Sequence, residues 1–246
     1  MSADPAGPAD PASPRHRSVR SYVVRGGRLT AAQHRALDSH WPRYGVEFTA
    51  SPMDLDNLFG RKARHVVEIG FGNGEHLVEL AAAHPEDDFI GIEVHPPGVG
   101  QILLKAHAAN LANLRVFNHD ALEVLAQTFA PQSLDCLLVL FPDPWHKARH
   151  HKRRLVNAKF AALAGSRLRS GGTLQLATDW TPYAEWMLEV LNGHPDFRNL
   201  SPDNGWVPRD VARNPTRFER RGERLGHAVH DLLFEREISP WAGSGY

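Results

Sequence analysis

Five short runs along the chain are apolar at almost every position and rich in β-branched or aromatic residues: HVVEIG at 65–70, DFIGIEV at 88–94, NLRVFN at 113–118, DCLLVLF at 135–141 and GTLQLAT at 172–178. Between and after them lie stretches with apolar residues at helical spacing, over 74–83, 98–111, 121–129, 152–169 and 182–192. Strands apolar on both faces, alternating with helices, predict a mostly parallel α/β sheet with helices on both sides. DFRNLSP at 196–202 and HAVHDLLFER at 227–236 predict two further, antiparallel edge strands, bringing the sheet to seven. Ahead of the sheet, 19–60 carry scattered apolar positions, with a helix over 30–40 that Thr30 is placed to cap. We expect this stretch to be an N-terminal extension packed on a core domain formed by 61–246. Residues 1–18, rich in Pro, Ala and Asp, predict a disordered tail.

In an open sheet of this kind, ligands bind outside the carboxyl ends of the strands. Each such place here carries an acid: Glu68, Glu93, Asp120, Asp143 and Asp179. The first turn, EIGFGNGEH, supplies Gly70, Gly72 and Gly74, which let the backbone turn tightly and approach a ligand. A dinucleotide fold wants G-x-G-x-x-G, but here position 75 is Glu and the third glycine falls at 74. The G-x-G-x-G form, with an acid two residues ahead, resembles the S-adenosylmethionine (AdoMet) turn of class I methyltransferases, the Rossmann-like fold that the strand pattern also fits. Glu93 lies about 20 residues further on, where a carboxylate receiving ribose hydroxyls belongs. By the same resemblance Asp120 would face the adenine amine and Glu68 would accept from the AdoMet amino group.

Composition narrows the setting. The 246 residues are 42% hydrophobic with a net charge of zero, so the molecule as a whole is no general polyanion binder. The balance is local instead. Residues 144–178 hold eight Lys or Arg and no Asp or Glu, which points to an anionic partner on that face. Cys136 is the lone cysteine, so no internal disulfide forms. No apolar run approaches the ~18 residues of a spanning helix, and the N-terminus lacks an apolar signal core. The expectation is a soluble, cytoplasmic protein without membrane contact.

Asp143 sits between Pro142 and Pro144 in LFPDPWHKARHHKRRL. Each proline fixes its own φ and restricts its predecessor, so the Asp backbone is nearly rigid before any substrate arrives. Such preorganisation suits a catalytic or recognition acid; a turn Asp ahead of Pro is the plainer alternative. Residues 146–154 hold five Lys or Arg and three His. Like charges this dense repel, and a phosphate backbone relieves them. His146 and His150 have the spacing of a metal pair, but five neighbouring cations and the lack of a completing carboxylate argue against a metal. Asp179, in ATDW, reads equally as a rim acid or as the N-cap of the helix that follows.

VVEIGFGNG, GIEVH, FPDPWHKARHHKRR, LATDWTPYAEWM and PTRFERRGERLGHAVHDLLFER together resemble the bacterial tRNA (guanine-N7-)-methyltransferase family, over about 19–237. The resemblance implies methyl transfer from AdoMet to N7 of the guanine at position 46, in the variable loop of tRNA. It implies that Glu68, Gly70, Gly72, Gly74, Glu93 and Asp120 hold the cofactor, with Asp143 contacting it and acting as the catalytic acid. Lys147 and Asp179 would contact substrate, and Thr216, Arg217, Phe218 and Glu219 would close over the base. Arg149, His150, His151, Lys152, Arg153 and Arg154 would bind RNA. Every motif stands in one chain, so no obligate protein partner is expected and a monomer or homodimer suffices. A methyltransferase for a small molecule or protein, an RNA-binding protein without catalysis, and a Rossmann oxidoreductase are the rival readings. The basic run, the complete set of acids and the glycine spacing speak against them in turn.

Overall fold

The computed structural model describes residues 21–22, 27–208, 219 and 228–237. The expected tail at 1–18 lies outside them, as do Thr216, Arg217 and Phe218. The chain runs α1 (Ala31–Tyr44), α2 (Leu55–Phe59), β1 (His65–Ile69), α3 (Glu75–Ala83), β2 (Asp88–Ile92), α4 (Pro96–Ala108), β3 (Leu114–Phe117) and α5 (Ala121–Gln127). It continues with β4 (Leu134–Leu140), a 3-10 turn (Ala148–Arg153), α6 (Ala158–Arg167), β5 (Leu168–Thr178), α7 (Thr181–Asn192), β6 (Phe197–Asn199) and β7 (His230–Arg236).

One seven-stranded sheet has the order β3-β2-β1-β4-β5-β7-β6. The first five strands in that row are parallel, and β7 pairs antiparallel with both β5 and β6. Each face carries its own apolar core. Val67, Ile69, Leu137 and Val139 face one layer with Phe160, Tyr183 and Met187. Val66, Leu138 and Leu140 face the other, with Leu77, Ile102 and Tyr44. Both faces are covered, which is why β1, β2 and β4 read as unbroken apolar runs. Cys136 lies in the second core, where burial pushes its thiol up to about 11 and keeps it unreactive.

Two sequence expectations need correction. The segments at 196–202 and 227–236 do not form two edge strands: β7 is inserted between β5 and β6, and β6 alone closes that side. Leu232 and Phe234 are fully buried, which suits an interior strand, whereas β6 is three residues long and pairs Arg198 with Glu235 at 2.9 Å. The helix expected over 152–169 is also divided. Asn157 accepts hydrogen bonds from the Lys159 and Phe160 amides and starts α6 afresh, leaving the basic run in the 3-10 turn ahead of it.

The extension at the N-terminus meets the core in specific contacts. Thr30 and Gln33 form a reciprocal capping box at the start of α1. Gln33 Nε2 donates to the Pro97 carbonyl at 3.0 Å, Tyr44 Oη to the Ala106 carbonyl at 3.1 Å, and the Val46 amide to the Val116 carbonyl at 2.9 Å on the β3 edge.

Opposite the strand ends that carry the acids, Asn113 closes the end of α3. Its buried Nδ2 donates to the carbonyls of Ala81, His84 and Asp87 at 3.0, 3.1 and 2.9 Å. The Ala81 carbonyl is one that the helix end leaves without a ladder partner, whereas the His84 carbonyl also takes the Asp87 amide and the Asp87 carbonyl also takes Arg61. Asn113→Ala is therefore expected to cost about 2 kcal/mol, lowering Tm by about 4–8 °C for a chain of this size. Thermal unfolding followed by circular dichroism measures this; a Tm within a degree of the unsubstituted protein would show that water takes over the three carbonyls.

Candidate active site

The strand order reverses between β1 and β4, which lie side by side with Ile69 opposite Val139. The helix after β1 belongs to one face and the helix after β4 to the other. The two chain ends therefore part and leave a cleft, the place where open α/β sheets bind ligands. The cleft encloses about 200 Å³. Gly70, Glu93, His95 and Asp143 line it together with the apolar side chains of Ile69, Ile92, Leu140 and Leu155.

The glycine turn is shaped for a close backbone approach. Gly70, Gly72 and Gly74 all have φ near +60 to +71°, the left-handed region. A Cβ on Gly70 or Gly72 would meet nothing within 4 Å, so open space stands over this backbone. Gly74 instead packs: a Cβ there would lie 2.4 Å from Ile102. Gly98 was not anticipated. A Cβ on it would reach the Gly72 carbonyl oxygen at 2.2 Å, so the first turn of α4 presses against the glycine turn. A glycine two residues into a helix that opens with Pro-Pro is the sequence signal for it.

Glu93 is buried and holds this turn. Its Oε2 accepts from the Gly72 amide at 3.0 Å, and its Oε1 from Val94 and His95 at 2.7 and 3.0 Å. Oε1 thus has both lone pairs taken, and Oε2 keeps capacity for one further donor, such as a sugar hydroxyl. Glu68 is also buried. It is turned toward His76 on α3, with Oε2 to Nδ1 at 3.1 Å, and does not line the cleft. The far nitrogen of His76, Nε2, is buried with no hydrogen-bond partner among the described residues. Asp120 caps α5 through the Leu122 amide at 2.9 Å, and its neighbour Ala121 reaches the cleft. Apolar walls, an exposed glycine backbone and a carboxylate at the rim are the features a nucleoside needs, so the residues present fit AdoMet.

Asp143 is exposed at the cleft mouth. It caps no helix: Lys147 is the residue ahead of the 3-10 turn, and no side chain caps there. The backbone around it is strained. Phe141 and Trp145 have φ of +51° and +46°, left-handed values that cost a bulky residue about 1–3 kcal/mol each. Such strain persists only where neighbours over-determine it. Here the Trp145 indole donates to the Ser21 carbonyl at 3.1 Å, the Arg153 guanidinium lies 4.9 Å from the Trp145 ring, and His150 meets that ring edge-on.

Arg154 is the strongest of these restraints, and it corrects an expectation. The sequence groups it with the RNA-facing cations, yet it is only 3% exposed. Its Nε donates to the Pro144 carbonyl at 3.1 Å. Its guanidinium sits 4.9 Å from the Tyr183 ring and 5.2 Å from the Trp186 ring, a cation–π cage, and it has no ion-pair partner among the described residues. Burial lowers its pKa, and burial also pushes the Tyr183 phenol up to about 12. The other members of the run, Lys147, Arg149, His150, His151, Lys152 and Arg153, are exposed or half-buried. Burial and then the surrounding cations hold His150 below its usual pKa. His146 and His150 face different indoles, Trp180 and Trp145.

Asp179 stands half-buried at the end of β5, one strand over from Asp143. It does not cap α7, whose N-cap position is Trp180. Glu219 is buried. Ser21 and Tyr22 also line the cleft, bringing the N-terminal extension to its mouth, which no pattern in the sequence announces.

A family model described as "Putative methyltransferase" matches residues 62–232. A tRNA (guanine-N(7)-)-methyltransferase of Pseudomonas syringae pv. syringae is 54% identical over 221 residues, covering 90% of this chain and 91% of that protein. The protein of the same name from Yersinia pseudotuberculosis is 56% identical, with 90% and 92% covered. Among solved structures, the 16S rRNA methyltransferase KamB aligns with a TM-score of 0.54 at 18% identity, over 80% of this chain and 99% of that one. TrmN from Thermus thermophilus aligns with a TM-score of 0.51 at 20% identity, over 74% and 47%. The two solved structures share the fold of the sheet; the two bacterial sequences share nearly the whole chain, which therefore belongs to the tRNA (guanine-N(7)-)-methyltransferase family.

Proposed function

We propose that the protein transfers the methyl group of AdoMet to N7 of a guanosine in tRNA, at position 46 in the variable loop, working in the cytoplasm beside its substrate. The observation that carries this reading is a rigid, exposed carboxylate, Asp143, at the mouth of a nucleoside-sized cleft and at the start of an outward-facing basic run. Gly70, Gly72 and Glu93 hold AdoMet directly, with Asp120 near its base; Glu68 and Gly74 shape the turn around it. Bound there, AdoMet supplies an electrophilic methyl group.

Guanine N7 carries an in-plane lone pair and no proton, so its attack requires no base. What the reaction requires is alignment, and a counter-charge for the purine as it becomes cationic. Asp143 meets both needs by accepting from guanine N1–H and the 2-amino group. Lys147 and Asp179 flank it on the same rim, and the segment with Thr216, Arg217, Phe218 and Glu219 closes over the base. Arg149, His150, His151, Lys152 and Arg153 take the phosphates. Arg154 acts on the reaction only through the Pro144 carbonyl, as a positioning residue.

Asp143→Ala is expected to fold, to bind AdoMet with unchanged affinity, and to lose about 10²–10³-fold in kcat. Methyl-labelled AdoMet with unmodified tRNA transcripts measures the rate, and borohydride–aniline cleavage locates N7-methylguanosine. Turnover by the variant at the normal rate would remove Asp143 from the mechanism. Label that enters no RNA at all, despite AdoMet binding, would favour a small-molecule or protein substrate.

Arg154→Met is expected to lower kcat by about tenfold or more, as misplacement of a reacting group does. The tRNA affinity and its salt dependence should stay unchanged, and Arg154→Lys should recover part of the rate. If the Met variant instead flattens the salt slope by about one unit, Arg154 returns to the phosphate-binding set.

A further inference from the structure

Trp180 and Trp206 are the exposed large hydrophobic side chains among the described residues, at 39% and 38%. Both stand on the rim that carries Asp143 and Asp179. Trp180 follows Asp179 directly, and His146, three residues past Asp143, meets its ring edge-on at 4.5 Å and 88°. Beside Trp180, Thr181 Oγ1 is 3.0 Å from His230 Nε2. The His230 ring in turn lies 4.5 Å from the Trp206 ring at 43°. His230 is anchored opposite Thr178 in the sheet, and Val207 bridges to Asp231, so these neighbours are set by the ladder itself. The outcome is one aromatic ribbon along the rim: His146, Trp180, Thr181, His230, Trp206.

The ribbon differs from the other tryptophans nearby. Trp41, Trp145 and Trp186 each donate the indole N–H within the protein, as a Trp that completes a fold does. Among the described residues Trp180 and Trp206 make no such bond, and their rings stay open to solvent. Burial holds His230 below its usual pKa, so at neutral pH it is an uncharged ring suited to stacking rather than to a phosphate. The outward cations of 147–153 follow His146 directly, and the cleft opens at the end of β4, one strand over from Trp180.

We propose that this ribbon stacks on the unpaired nucleobases next to the target guanosine, with Trp180 as the main platform. The inference rests on the RNA reading above and adds to it a site for the flanking bases. A base that an enzyme modifies leaves its stack and strips its neighbours of one stacking face. Indole faces on the same rim replace that loss, and they do so for any base, since every base presents a π-face. The basic run holds the strand by charge, and the ribbon holds its bases by contact.

The two contributions have different salt signatures, which the test uses. Binding of full-length protein to unmodified tRNA is measured across a series of salt concentrations, for Trp180→Ala, Trp206→Ala, Trp180→Phe and Arg153→Ala. Trp180→Ala should weaken binding about tenfold or more at every salt concentration, because stacking neutralises no phosphate. Trp206→Ala should show a smaller loss of the same kind, and Trp180→Phe should recover most of the affinity. AdoMet binding should be unchanged throughout. Arg153→Ala should instead flatten the slope by about one unit. Affinity unchanged in Trp180→Ala, or lost together with the slope, overturns the proposal. So does a shift in sedimentation on Trp180→Ala without any effect on tRNA, which would mark the ribbon as a protein contact. Failure of the unsubstituted protein to bind or methylate tRNA is a separate result: it removes the RNA reading itself, and the ribbon proposal with it.

Discussion

Everything functional in this chain follows from one topological constraint, the reversal of strand order between β1 and β4. Two adjacent parallel strands send their following helices to opposite faces of the sheet, so neither helix covers the space between their carboxyl ends. The backbone groups there need partners, and the protein supplies them from acids. Glu93 alone takes three amides from the turns on either side of it. The same carboxylate that closes the fold thus keeps its one remaining lone pair, on Oε2, for a ligand in the cleft. Structure and binding are not separate tasks at this position, and the left-handed glycines beside it give a ligand backbone to lie against.

The second organising feature is what the protein does with a dense block of positive charge. A continuous helix through 152–169 would place like charges on successive turns with no acid to offset them. The chain avoids this by a 3-10 turn, a break at Asn157 and the withdrawal of one cation, Arg154, into an aromatic cage. A buried guanidinium that meets no carboxylate among the described residues is costly unless its donors are used and its charge faces π-systems. Arg154 meets both conditions, through the Pro144 carbonyl and the rings of Tyr183 and Trp186. The arrangement ties the phosphate-facing run to the loop that carries Asp143, so two features adjacent in sequence are also coupled in space.

These relations explain which parts of the molecule were legible in the sequence. The five parallel strands, and most of the helices between them, announce themselves by burial on both faces, because apolar periodicity is a direct record of burial. The acids at the strand ends were legible for the same reason: once strand ends are known, so are the rim positions. Three things were not. The place of β7 depends on pairing across the sheet, which local pattern does not encode; only the full burial of Leu232 and Phe234 distinguishes it from an edge. Arg154 reads like its four cationic neighbours until Tyr183 and Trp186, about thirty residues away, are brought over it. The arrival of Ser21 and Tyr22 at the cleft depends on long-range contacts, among them the Trp145 hydrogen bond to the Ser21 carbonyl. Local physics writes elements into a sequence plainly, and writes their long-range partners there only faintly.

The chemistry proposed for the site accounts for where strain has been placed. Reactions that begin by removing a proton call for an acid or base of tuned strength, and tuning comes from burial. Guanine N7 has no proton to lose, so Asp143 has no need to be buried, and it is not. The demand is for position alone. Position is what two prolines, two bulky residues in left-handed conformations and a caged guanidinium secure, at a cost the two packed cores can bear. A flexible exposed acid would have to be ordered at each turnover, whereas here the ordering is done once, during folding. The strained P-D-P loop is thus the form that catalysis by alignment takes when the nucleophile needs no activation.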